Sequence, residues 1–159
     1  MRTQCFQFSF IKKCLNELTP KEAELVEHAK EASFRSYSPY SDFSVGASLW
    51  LNDDTTDIIL TGSNQENCAY PSGMCAERTV LFHAGSQYPD VPVKALCIAA
   101  RNPSGLFTSL PVSPCGGCRQ VMVETERRHG QNMTILLYGT EGVHVIHSAQ
   151  DLMPLCFTL

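Results

Sequence analysis

The sequence predicts an α/β protein, a three-layer α/β/α sandwich around a mixed, roughly five-stranded sheet. Three observations carry the prediction. Segments with a helical apolar period alternate with segments that alternate apolar and polar residues along a strand. Val93 to Ala100 is apolar throughout, as a central strand buried on both faces must be. The 159 residues, 43% of them hydrophobic, show no repeat, low-complexity tract or linker, which suits one domain with a substantial core over residues 1–159.

The elements follow in order. Thr19-Pro20-Lys21-Glu22 reads as a capping box with Pro at the first helical position, and Leu25, Val26, Ala29 and Ala32 share one face, which predicts a helix from about Pro20 to Arg35. Ser38-Pro39-Tyr40 breaks it. Phe43, Val45, Ala47 and Leu49 alternate with small polar positions, Asn52-Asp53-Asp54 supplies a turn, and Ile58 to Thr61 completes a β-hairpin. A polar loop, Asn64 to Gly73, leads to Cys75 and a helix over Ala76 to Ala84 that Gly85 is expected to stop. After the strand at Val93 and a Pro/Ser/Gly-rich loop over Arg101 to Val112, Cys115 opens a helix running to about Arg128. Thr134 to Tyr138 and Val143 to Ile146 read as strands, and Ser148 to Asp151 as a capped closing helix.

Composition excludes several classes. Twelve Lys and Arg against sixteen Asp and Glu give a formal charge of −4 with no basic block, which argues against nucleic acid as the partner. No apolar run reaches the roughly 18 residues that cross a bilayer, and Gln4, Gln7, Ser9 and Lys12 interrupt any signal-peptide core near the start. Eight Cys without an export signal fit reduced thiols in a cytoplasmic protein better than a disulfide framework.

Chemistry concentrates in Cys75-Ala76-Glu77 and Pro114-Cys115-Gly116-Gly117-Cys118. Cys75, Cys115 and Cys118 supply three thiolates at two helix N-termini, where the macrodipole favours the ionised form. Three protein ligands leave Zn2+, one per chain, an open fourth position for water, and Glu77 is placed to overhang it as the proton carrier. This is the pattern of the zinc deaminases. Three thiolates leave a divalent site net negative, and Arg78 is placed to donate to a ligating sulfur and offset that charge, against the alternative of a surface ion pair. Two other readings compete. Cys68 as a fourth ligand would close a purely structural zinc site, and Cys115 with Cys118 alone has the spacing of a redox dithiol, which leaves Cys75 and Glu77 without a role. The five His lie outside metal-ligand spacing with the Cys cluster, and Cys5, Cys14, Cys97 and Cys156 read as buried small hydrophobes or spare thiols.

Five ordered motifs resemble the small, homotetrameric zinc-dependent cytidine deaminase family: Ser38 to Ala47, Asn64-Gln65-Glu66-Asn67, Cys75 to Thr79, Pro114 to Gln120, and Asp151-Leu152-Met153-Pro154 with Phe157. The likeness covers Thr19 to Leu159 and leaves 1–18 as an N-terminal extension; Gly117 and Val80 replace the Ala commonly seen in the family. The resemblance implies that Asn64 and Glu66 hold ribose hydroxyls, that Phe43 packs on the pyrimidine, that Ala76 contributes to substrate binding, and that Tyr70 and Phe157 complete pockets across subunit boundaries of a homotetramer. The implied reaction is hydrolytic deamination of cytidine and deoxycytidine to uridine and deoxyuridine with release of ammonia, as in pyrimidine salvage. A relative acting on an aminated nucleoside antibiotic or another nucleobase would use the same metal chemistry. Free nucleosides are the expected substrates and monophosphates are not, although Arg35 or Arg101 offers a phosphate partner.

Overall fold

A computed structural model describes residues 2–159. One six-stranded sheet runs β1 (Ile11–Lys13), β6 (Gly142–Ile146), β5 (Thr134–Gly139), β4 (Val93–Arg101), β2 (Ser44–Asn52), β3 (Asp57–Ser63) from edge to edge. Only β4 and β5 pair in parallel, so the sheet is mixed. Its sixth strand lies in the segment read as an extension: Ile11 pairs with Val145 and Lys13 with Val143. Three residues with one aliphatic side chain give no period to read, which is why β1 left no sequence signal.

The strand period of two sorts the core into layers. Ala95, Cys97 and Ala99 of β4 and Leu136 and Tyr138 of β5 pack against Leu25, Val26 and Ala29 of α1 (Pro20–Ser33). The alternate residues Leu96, Ile98, Ile135 and Leu137 face α2 (Ala76–Gln87) and α3 (Gly116–His129) through Val80, Leu81, Met122 and Val123. Helices thus cover both faces, the α/β/α arrangement expected. Gly46 of β2 lets α1 come close: a Cβ there would lie 2.1 Å from the Ala29 carbonyl oxygen and 2.4 Å from the Ser33 nitrogen.

Two helix ends differ from expectation. α1 begins on its capping box, with Thr19 Oγ1 accepting from the Glu22 amide, but ends at Ser33, short of Arg35. The Ser33 hydroxyl donates back to the Lys30 carbonyl, Arg101 takes the Ser33 carbonyl, and the next amides close three-residue turns instead of helical ones. α2 continues past Gly85 to Gln87, because Gly85 packs beside Arg128 of α3 and adopts no positive φ that would end the helix. The closing helix is a single 3-10 turn, Ala149–Leu152, capped by Ser148. Cys97 is buried as a small hydrophobe, whereas Cys5 and Cys14 are exposed and Cys156 half-buried.

Candidate metal centre

Two helix N-termini meet at the sulfurs. Cys75 and Cys115 are the N-cap residues of α2 and α3, both with extended backbone, and neither side chain bonds to its own helix's amides. Their thiols are therefore free for another partner. Cys118 lies one turn into α3 and is fully buried, Cys75 is half-buried and Cys115 is exposed, so the cluster opens to solvent on one side. Cys75 is brought in by the loop from Asn64: Gln65 and Met74 exchange both backbone hydrogen bonds at 2.8 Å, and a 3-10 turn at Tyr70–Ser72 fills the space between.

The three sulfurs lie within 4.8 Å of one another, with Cys75 Sγ 3.9 Å from Cys115 Sγ and Cys115 Sγ 3.5 Å from Cys118 Sγ. Tetrahedral zinc with Zn–S bonds of ~2.3 Å needs sulfurs about 3.8 Å apart, so the donor set fits that ion in type and spacing. Among the described residues this is the one such cluster, and Cys68 is outside it, exposed with its sulfur 3.7 Å from Asn67 Oδ1.

Electrostatics favour charge on the sulfurs. Hydrogen bonding from Cys118, with help from Arg78 and Cys115, pulls the Cys75 thiol down to about 5 against its burial. Cys118 keeps its own proton, because that shared bond and burial push its thiol up. A divalent cation would take the place of that proton. Arg78 Nη2 donates to Cys75 Sγ at 3.4 Å, and the thiolate in turn raises the guanidinium's pKa. Glu77, 5% exposed, has its carboxyl pushed up by burial first and then by the negative Cys75, while a hydrogen bond from its own backbone amide, bonding from Cys118 and the Arg78 charge act in the other direction. Ala76 between them is fully buried.

The structure separates the remaining candidates. Glu66 lines a cavity of about 360 Å³ with Tyr40, Ser41, Asn67, Tyr70 and Gly73. Its carboxylate accepts from the Tyr40 amide at 2.8 Å and from the Ser41 amide and hydroxyl, which lowers its pKa. Asn64 spends both oxygen lone pairs on the Ser36 hydroxyl and the Val45 amide and one N–H on the Phe43 carbonyl, leaving one N–H for a ligand. Phe43 is half-buried after Asp42, whose φ of 53° turns the chain. Tyr70 and Phe157 stand out at 74% and 68% exposed, Tyr70 with its ring edge-on to Tyr40. Arg35 donates to Thr61 Oγ1, and Arg101 is held by Ser33 and the Phe34 ring, so each already has partners. A separate hollow of about 270 Å³ between α2 and α3 contains none of these residues.

Sequence reasoning missed the side chains that brace the cluster. The Thr79 hydroxyl bonds the Cys75 carbonyl, and Arg119 Nε donates to the Pro114 carbonyl at 2.9 Å, fixing the chain just before Cys115. Both bond backbone oxygens, which no residue pattern advertises; adjacency to the cysteines was the only signal.

Comparison with known proteins finds relatives in sequence and in fold. The family model for the cytidine and deoxycytidylate deaminase zinc-binding region matches residues 19–131. The chain is 45% identical over 101 residues to the cytidine deaminase of Sporosarcina psychrophila, covering 64% of this chain and 67% of that one. It is 42% identical over 100 residues to the cytidine deaminase of Halalkalibacterium halodurans, covering 63% and 68%. The crystal structure of cytidine deaminase from Burkholderia pseudomallei superposes with a TM-score of 0.72 at 37% identity, over 88% of this chain and all (100%) of that chain. Sequence, fold and metal cluster together place the chain in the family defined by the cytidine and deoxycytidylate deaminase zinc-binding region.

Proposed function

We propose that the protein catalyses hydrolytic deamination of cytidine and deoxycytidine, giving uridine and deoxyuridine and releasing ammonia. One observation carries the reading: three sulfurs at zinc spacing, with the buried Glu77 carboxyl two residues from Cys75 and no fourth protein ligand among the described residues. Cys75, Cys115 and Cys118 would hold the zinc, which when bound would supply a Lewis acid that brings the pKa of water towards neutrality. Every proton movement then falls to Glu77. Its carboxylate accepts a proton from water as the water oxygen adds to C4, returns it to N3, then takes the proton of the new C4 hydroxyl and passes it to the amine as the C4–N bond breaks and the C4 carbonyl forms. Arg78 offsets the thiolate charge through Cys75, Ala76 and Phe43 flank the base, and Asn64 and Glu66 face the ribose through the free N–H and the unused acceptor capacity of the carboxylate.

The anionic Glu66 favours a hydroxyl-bearing sugar over a 5′-phosphate, since like charges about 4 Å apart at an effective dielectric near 20 repel by ~4 kcal/mol, less at the greater distance of a terminal phosphate. We read the chain as one domain whose first 18 residues extend the family core, and as a homotetramer, which gives the exposed Tyr70 and Phe157 rings a place in neighbouring sites. A cytoplasmic setting suits eight unpaired thiols. No helix among the described residues is long and apolar enough to cross a membrane. Ammonia release from a panel of nucleosides, bases and cytidine 5′-monophosphate, with light scattering of the same sample, tests the reading. Comparable specificity constants for nucleoside and monophosphate would overturn the substrate class, and a fully active monomer would overturn the shared site.

A further inference from the structure

Three side chains of α3, the helix that carries Cys118, grip successive points of the segment after Leu152. Arg119 Nη1 donates to the Leu152 carbonyl at 2.8 Å. Gln120 engages Phe157 through both backbone groups, Nε2 donating to its carbonyl oxygen at 2.9 Å and Oε1 accepting its N–H at 3.3 Å. Arg127 Nη2 donates to the Leu159 oxygen at 3.0 Å. Gln120 and Arg127 are seven residues apart, two helical turns on one face, so the tail follows α3 along its length. Met153 and Cys156 pack against the core beneath it, and Leu155 makes the bend with φ of 56°. The outcome is unusual for an exposed aromatic. The Phe157 backbone is fixed at both polar groups while its ring points out, 68% exposed.

We infer that Gln120 is a positioning residue that sets the Phe157 ring in register with the metal cluster. Its place two residues after Cys118 on a rigid helix means that the ring presented to a nucleoside site and the sulfurs of the same chain cannot shift independently. Glutamine suits the task because its amide is the one neutral side chain of that length that donates and accepts at once, matching a backbone peptide group. The inference rests on the reading of Phe157 as a residue of the nucleoside site.

The test compares wild type, Gln120→Met, Phe157→Ala and the double variant. Met keeps the length and helix preference of the residue and removes both hydrogen bonds. The expected results for Gln120→Met are full zinc content, a KM for cytidine raised about three- to tenfold with kcat less affected, and exchange of the Phe157 amide about tenfold faster than in wild type. The double variant is expected to match Phe157→Ala within about twofold, since the two residues act as a unit. Independent, multiplying effects, loss of zinc in Gln120→Met, or unchanged kinetics with faster exchange would each overturn the inference while leaving the deaminase reading intact. Wild-type protein that releases no ammonia from cytidine would instead overturn the functional reading, and the exchange rates would still decide whether Gln120 holds the tail.

Discussion

Lys13→Met would cut the tie between the edge strand and α1. Lys13 Nζ lies 2.7 and 2.8 Å from the two Glu22 carboxylate oxygens, and the same carboxylate accepts from the Thr19 amide at 2.8 Å, closing the capping box. Burial alone would raise the Glu22 pKa, but the Lys13 and Thr19 bonds outweigh it and hold the carboxyl below its ordinary 4.5. With side chains 23% and 16% exposed, the pair is shielded more than a surface bridge but still pays desolvation. Charge-assisted bonds contribute about 1.5–3 kcal/mol, and discounting for residual screening leaves roughly 2 kcal/mol at neutral pH. At 2–4 °C per kcal/mol for a chain of this size, Tm should fall by about 4–8 °C. A lowered carboxyl pKa gives stability that is present above the unfolded value and lost as pH falls through the folded one. The deficit of the variant measured by thermal unfolding should therefore be full at pH 7 and should shrink as pH drops below about 4. An unchanged Tm at pH 7, or a deficit that persists undiminished at pH 2–3, would refute this account of how β1 is anchored.

The other predictions concern packing and metal. Gly46→Ala forces a methyl group against the backbone of α1 rather than against a flexible side chain, and should cost at least about 3 kcal/mol, read as a fall in Tm of ~6 °C or more; a neutral substitution would mean α1 moves freely over the sheet. Cys75→Ala, Cys115→Ala and Cys118→Ala should each lose zinc by metal analysis while Cys68→Ala keeps one per chain, and loss of zinc in the Cys68 variant would point to a closed structural site.

How legible the molecule was depended on what carried each feature. The capping box at Thr19, the alternation through Val45 and Leu49 and the apolar run from Val93 are local patterns, and the structure realises each as an element. The cysteine cluster was legible for a different reason: two short motifs opening two helices define their own geometry. Features made by distant partners were not. β1 exists because β6 offers it an edge, and the grip of Gln120 on Phe157 spans 37 residues and ends on backbone atoms. Gly85 misled because glycine serves both to stop a helix and to admit a close neighbour, and only the presence of Arg128 distinguishes them. Glu66 and Asn64 drew attention through the family resemblance, as holders of ribose hydroxyls, yet most of their hydrogen-bonding capacity goes to the 36–45 segment, so a large part of what these side chains do is hold the loops beside the cluster.

Glu77 is the proposed proton carrier, and Glu77→Gln isolates that role. The amide preserves the size of the side chain in its buried position at the start of α2 and removes only its ability to take and return a proton. Zinc content and Tm should stay near wild type while ammonia release from cytidine falls by about 10² to 10⁴. Near-normal turnover in a fully zinc-loaded Glu77→Gln protein would contradict the assignment outright.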